Sequence, residues 1–593
     1  MTMAVMPPPP PPAGQGVATL ADIDAFERAA PLDSRLPASS VWAMLNAAAD
    51  RHAHRPALSF LSTGSPHEPV QTWTHGQLLM QCRRLANWLH AQGVRNPCGV
   101  AVLLPNLPQT YVALSGSQAA AVVCPISPTL GAAAVAGILV AGDCQVLVTE
   151  GSAQNPALWQ RACAAAALAP GLRHVVVVGG MDGASVGGMD GAMVDAHQDM
   201  PAGVAVHDFE RACAAQRGDQ LDFLPVSDPQ SPTARFHTGG TTGAPKLATH
   251  TQRNQVYMAW CMGEMVGFSP NDVVLIGLPL FHVHAVIPLS MGPLSRGGHL
   301  VLLGPQGFRH ASVVQDFWRI VERFGATCFS AVPTVYAGLL QVDMGRAQVH
   351  SLRVAFSGSA PLPRQMELDV QARTGLLILE GYGLTEGTCI STLSPLRGER
   401  RVGSIGLRLP YQATKVARLD DQGRWLADCA AGQTGHLLIN GPNVFAGYAD
   451  AAQTAAAFAA PGWLDTGDLG HCDADGYFWI SGRAKDLIKR SGHSIDPQAV
   501  EEALHADPAI ALAAVVARPD PRAGEVPVAY VCLKPGAQAN PAQLLAVCRQ
   551  RLGDPVATPV HLTILHQLPL TAVGKLDKVA LRALAAAEQP IPS

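Results

Sequence analysis

Short unbroken apolar runs punctuate the first third of the chain at residues 100–104, 121–126, 146–149 and 175–178, with Ala-rich stretches of helical character between them. Runs of this length lack the in–out alternation of a half-exposed strand. Bounded by turn residues, they suit strands covered on both faces, and their alternation with helices predicts βαβ units around a parallel sheet. The same rhythm returns at 273–277, 300–303, 328–331, 354–356 and 376–379, which predicts a second, related sheet. Ahead of both, residues 41–92 predict a helix, an extended stretch at 71–73 and another helix from His75. Beyond Gly482 the pattern changes to a charged turn, a helix from Pro497, strands at 511–517 and 529–534, a helix from Pro541 and a loop carrying Lys575. That tail end is a separate α+β unit of about a hundred residues.

Composition narrows the class of function. The 593 residues are 48% hydrophobic with a net charge of −4 and no basic block, which supplies ample core and excludes a nucleic-acid or anionic-membrane binder. Thirteen cysteines are scattered with neither a CxxC pair nor a Cys/His cluster at metal-ligand spacing, so reduced core thiols and a cytoplasmic location are expected. Residues 1–20 open on a six-proline run with no positive n-region or apolar h-region and predict a disordered tail. No apolar run is long enough to span a bilayer. Residues 178–193 hold VGGMDGAS followed directly by VGGMDGAM, a Gly-rich duplication that reads as a surface insertion remote from any chemistry.

Candidate chemistry centres on residues 237–250, HTGGTTGAPKLATH. Glycines let backbone N–H groups approach an anion, threonine hydroxyls add donors, and Lys246 adds a compact charge, so the stretch is a phosphate-loop candidate. It is not the GxxxxGK[ST] loop, because Pro245 precedes the lysine and Gly243 is displaced from it, and no helix is expected to start there. Three further segments accompany it: EGYGLTE at 380–386, WLDTGD at 463–468 running on to GYFWISGRAKDLIKRSGHSIDP, and PLTAVGKLDK at 569–578.

In order and spacing these segments resemble the acyl-adenylate-forming superfamily, whose members include acyl-CoA synthetases, luciferases and peptide-synthetase adenylation domains. The resemblance runs from about residue 42 to 578. It implies an α/β fold: a large N-terminal region, 21–484, of two related mixed α/β subdomains plus a β-barrel-like subdomain, and a small mobile α+β domain, 485–593, that swings about Lys485. It further implies activation of a carboxylate by attack on the α-phosphorus of ATP, giving acyl-AMP and pyrophosphate, then transfer to the thiol of CoA.

By the same resemblance Thr238, Gly240, Thr241, Thr242, Gly243 and Lys246 would hold the β and γ phosphates, with Gly239 standing where the pattern usually has Ser or Thr. Gly381 and Tyr382 would lie against adenine, and Thr385 would donate to the α-phosphate. Glu386, with Thr241, would hold Mg²⁺. Asp468 would accept both ribose hydroxyls, with Arg483 in support, and Lys575 would enter between carboxylate and α-phosphate. After pyrophosphate leaves, Lys489 and Gly492 would line a pantetheine tunnel, although Ser494 replaces a common Asn in that loop. His282 would gate the acid from the thiol, His284 would be a second wall residue, and FSGSAPL at 356–362 would form the other wall. Absence of an Arg or Lys in that lining favours an apolar monoacid, whether fatty, aryl or alicyclic. A stand-alone adenylating enzyme loading a separate carrier protein and a non-catalytic binding homologue are the alternative readings, and a homodimer is among the assemblies left open.

Overall fold

In the computed structural model, which describes residues 17–179, 199–238 and 246–587, the first apolar runs become the parallel strands Gly99–Leu103, Val122–Pro125, Cys144–Glu150 and His174–Val178. Nearly every side chain in them is buried, each Val or Leu contributing about 1.5–3 kcal/mol relative to exposure. Ala205–Asp208 extends this sheet at one edge, and at the other Pro232–Thr238 runs parallel to Val122–Pro125 and pairs antiparallel with Lys246–Thr251. A strand, not a helix, follows the Gly/Thr-rich stretch, in line with the expectation that no helix starts there.

The second rhythm forms the parallel strands Val273–Ile276, His299–Leu302, Cys328–Ala331, Val354–Ser357 and Ile378–Tyr382. The last of these begins two residues later than the apolar run predicts. Gly375, at φ +70°, closes the helix Arg364–Thr374 in the left-handed conformation, and the chain must still turn before it can pair. Pro56–Phe60, which the sequence pattern did not reveal, lies parallel to His299–Leu302 with Gln71–Thr74 antiparallel outside it. An N-terminal hairpin thus completes the second sheet rather than the first.

Residues 413–483 form an antiparallel sheet of six strands, among them Ala413–Leu419, Gly435–Asn440, Trp463–Cys472 and Phe478–Arg483. The turn Ala484–Asp486 then leads into a different sheet, that of Ile488–Arg490, His493–Ile495, Ile510–Asp520, Gly524–Leu533 and His561–Ile564. This last sheet encloses its own core of Ile488, Val500, Val515, Val531 and Leu562 under the helices Pro497–His505 and Pro541–Leu552. The two long strands exceed their expected lengths because Asp520, whose carboxylate accepts from Arg522 N and Ala523 N, ties a tight hairpin.

At the start of the chain, residues 17–20 are part of an ordered entry rather than of the tail. Thr19 and Asp22 cap one another, opening the helix Leu20–Ala29, and Arg408 holds that helix through Asp24 and Glu27. The rest of the tail, most of the Gly-rich repeat (180–198) and residues 239–245 fall outside the described residues. All thirteen cysteines are free, and no helix among the described residues is long and apolar enough to cross a membrane.

Candidate active site

Open parallel sheets bind ligands in the crevice beyond the carboxyl ends of their strands, and the motif residues gather there. Thr238 ends one strand and Lys246 begins its partner, the two being a registered pair at the base of the phosphate-loop candidate. Gly240, Thr241, Thr242 and Gly243 lie within 239–245, outside the described residues. Lys246 is exposed, its Nζ 5.1 Å from the centre of the Tyr448 ring. Tyr448 donates to Glu386 Oε1 at 2.6 Å, linking the loop's lysine to the carboxylate of EGYGLTE. Burial and the Glu386 charge push the Tyr448 phenol well up, so it remains a donor.

Gly381 and Tyr382 close a strand rather than a turn. At Gly383 an added Cβ would sit 1.6 Å from Cys389 O, so no other residue fits where the chain doubles back through Thr388 and Cys389 at φ +52° and +96°. Thr385 and Glu386 form the 3-10 turn so created, and His250 Nε2 lies 2.7 Å from Thr385 O. Burial lowers the His250 pKa to about 4, which keeps the ring neutral and its Nε2–H donating to that carbonyl.

Asp468 lies within the long strand Trp463–Cys472, where it accepts from Tyr382 at 2.6 Å and pairs with Arg483 Nε at 3.1 Å, its own cross-strand partner. Burial raises its pKa and the two partners oppose that rise, leaving an anion that is buried while Arg483 remains half exposed.

Lys575 reaches this centre from the C-terminal domain. Its loop is pinched by the Leu570–Leu576 bridge and docked by Thr334, which donates to Gly574 O at 2.6 Å. Burial first, then Arg483, lowers the Lys575 pKa to about 8, with Cys389 and Asp468 acting the other way. His282 caps the short helix Val283–Val286, and its pKa is held far below the usual imidazole range by burial, then by Lys575, His284 and His237.

Lys489 and Gly492 lie elsewhere. Lys489 Nζ bonds Ser494 Oγ at 2.6 Å within its own hairpin, and Gly492 is open on the C-terminal domain's surface. The structure therefore brings together Tyr382, Thr385, Glu386, Asp468, Arg483, His282 and Lys575, and leaves the proposed tunnel residues outside.

Sequence reasoning did not single out Tyr448, His250 or Glu380. Nothing in the local sequence marks the first two, which become partners only through tertiary pairing. Glu380 was read only as the start of its motif. Its buried Oε1 accepts from Leu362 N at 3.2 Å while Oε2 has no partner, and burial, with Glu367 and Glu502 adding to it, raises its pKa to about 8.

Known proteins resemble this chain over most of its length. Residues 45–449 match the AMP-binding enzyme family and residues 499–575 the AMP-binding enzyme C-terminal domain. The chain is 38% identical over 572 residues to a marinolic acid–CoA ligase from Pseudoalteromonas sp. (strain SANK 73390), covering 95% of this chain and 84% of the relative. It is 30% identical over 558 residues to a long-chain-fatty-acid–CoA ligase of Bacillus subtilis (strain 168), covering 92% and 94%. Among solved structures, an anthranilate CoA ligase in complex with anthranoyl-AMP superposes with a TM-score of 0.77 at 24% identity, covering 92% of this chain and 97% of that one.

Proposed function

The chain belongs to the AMP-binding enzyme family, and from that premise we propose that it is an AMP-forming acid:CoA ligase, converting a carboxylic acid, ATP and CoA to acyl-CoA, AMP and pyrophosphate. The observation that carries the reading is Lys575, delivered by one domain into a partly buried site made by the other, beside the Asp468–Arg483–Tyr382 group.

A carboxylate is a poor electrophile until its oxygen becomes a leaving group. Attack of that oxygen on the α-phosphorus crowds negative charge between acid and phosphate, and the Lys575 ammonium, fixed in a low-dielectric site, would stabilise that crowding. Asp468 offers two acceptor oxygens to a vicinal diol and is held in orientation by Tyr382 and Arg483. Thr238, Lys246 and the loop between them would carry the outer phosphates, and Thr385 the α-phosphate.

Glu386 fits Mg²⁺, which takes one or two carboxylates and completes its shell with phosphate oxygens and water. Bound there with Thr241, the ion would neutralise phosphate charge.

The arrangement is that of the first half-reaction. For the second, rotation about Lys485, in the exposed turn Ala484–Asp486 between two separately cored sheets, would withdraw Lys575 and bring Lys489 and Gly492 to the site. The acid is an apolar-bodied monoacid by the same lining argument made from the sequence. A cytoplasmic location fits the free thiols.

A pH dependence follows. Lys575 works as the cation, and its pKa is lowered to about 8, so kcat/KM for acyl-AMP formation falls as pH rises through about 8. Thioester formation from supplied acyl-AMP does not share that limb. Pyrophosphate release measured from pH 6.5 to 9.5 checks this, and a flat profile would contradict it.

A further inference from the structure

Three imidazoles, His237, His282 and His284, lie close together, with His282 and His284 feeling the Lys575 charge, and a backbone N–H sets the tautomer of two of them. Ser127 N donates to His237 Nε2 at 3.2 Å, so the proton sits on Nδ1. His284 N donates to His282 Nδ1 at 3.4 Å, so the proton there sits on Nε2. Ser330 Oγ lies 3.2 Å from both Phe356 O and His284 Nε2, so that hydroxyl engages His284 Nε2 and leaves Nδ1 without a partner among the described residues.

The three remaining nitrogens, those of His237 and His282 being donors, form no hydrogen bond among the described residues. The imidazoles are neutral: burial lowers His237 and His284 to about 4, and Lys575 adds to the lowering at His284 and His282. They also border the crevice. The His237 ring stacks on Phe281 with centroids 6.0 Å apart, and a Cβ added to Gly358 would lie 3.4 Å from His284 Cε1 and 3.1 Å from Gly381 O. An entirely apolar acyl group would desolvate those nitrogens without replacing their bonds to water, which disfavours its binding.

We propose that His237 and His284 select acids that carry a neutral oxygen, hydroxyl or keto, on the carbons nearest the carboxylate. The inference rests on the ligase reading, because the lysine that meets the carboxylate is the one beside these rings. A second carboxylate is disfavoured: neutral rings give it no countercharge, and it would compete with the reacting groups for Lys575. The apolar body of the acid is unaffected by this selection.

The test uses the full chain, MgATP and CoA with matched pairs of acids, such as octanoate against 2-hydroxy-, 3-hydroxy- and 3-oxo-octanoate and phenylpropanoate against 3-hydroxy-phenylpropanoate. Acyl-CoA is followed by mass spectrometry and kcat/KM is determined for each. The expected result is at least about a tenfold preference for the oxygenated partner of a pair, falling to about twofold or less in His284→Leu and in His237→Phe. A ratio cancels the fraction of folded enzyme, so loss of stability alone does not move it. Equal or better turnover of the unsubstituted acids by the unmodified chain would overturn the inference while upholding the ligase reading, as would an oxygen preference that survives both substitutions. No acyl-CoA or acyl-AMP from any acid would count against the ligase reading itself, and the inference would fall with it.

Discussion

Lys575→Ala lowers the rate of acyl-AMP formation by about a hundred- to a thousandfold, or ~3–4 kcal/mol of transition-state stabilisation, and spares thioester formation from supplied acyl-AMP and CoA. The asymmetry comes from where the lysine stands. It is carried by the C-terminal domain but sits partly buried within the electrostatic reach of Asp468, Arg483 and Cys389 of the larger region, so it belongs to one arrangement of the two domains only. Removing it also removes a partly buried cation whose lowered pKa records unfavourable burial, and the melting temperature is therefore expected to hold or rise slightly. Pyrophosphate release and acyl-CoA formation from synthetic acyl-AMP, measured separately, check the prediction. Equal loss in both half-reactions would show that the lysine does not leave between steps.

Asp468→Ala is expected to weaken ATP use by about a hundredfold in kcat/KM, with most of the change in KM for ATP. Two charge-assisted hydrogen bonds from a ribose diol, at about 1.5–3 kcal/mol each, set the scale. The loss also frees Tyr382 and Arg483, whose orientations depend on this carboxylate at 2.6 and 3.1 Å. Because Arg483 is half exposed, breaking that pair contributes little to stability. Isothermal titration with ATP together with a melting curve separates the two effects. A large fall in melting temperature with unchanged ATP affinity would make Asp468 a structural residue.

Much of this was legible in the sequence because the informative residues are local. Strand runs such as 146–149 and 175–178 are self-reporting, since a buried parallel strand has to be continuously apolar, and Pro245 with the displaced Gly243 argued against the usual helix after the phosphate loop. What stayed hidden depends on partners far along the chain. Pro56–Phe60 looks like an ordinary short polar–apolar stretch and becomes a strand only because His299–Leu302 lies beside it. Tyr448 gains its place by pairing Gly447–Tyr448 with Lys246–Thr251, nearly two hundred residues earlier. Asp468 resembles a turn residue in TGD yet sits inside a ten-residue strand, since Phe478–Arg483 returns to pair with it. The three-histidine cluster was divided by sequence distance: His282 and His284 were weighed as a gate and a wall, and His237 only as the start of the phosphate loop. Their shared chemistry emerges from the hydrogen bonds that fix each ring.

Mass spectrometry of purified protein with MgATP and a panel of fatty, aryl, alicyclic and hydroxy acids, each with and without CoA, shows whether this site joins acids to CoA through an acyl-adenylate. Acyl-AMP is expected when CoA is withheld, and acyl-CoA with AMP and pyrophosphate when it is supplied. Acyl-AMP that accumulates unchanged in the presence of CoA would contradict the ligase reading and would direct attention to a carrier-protein acceptor.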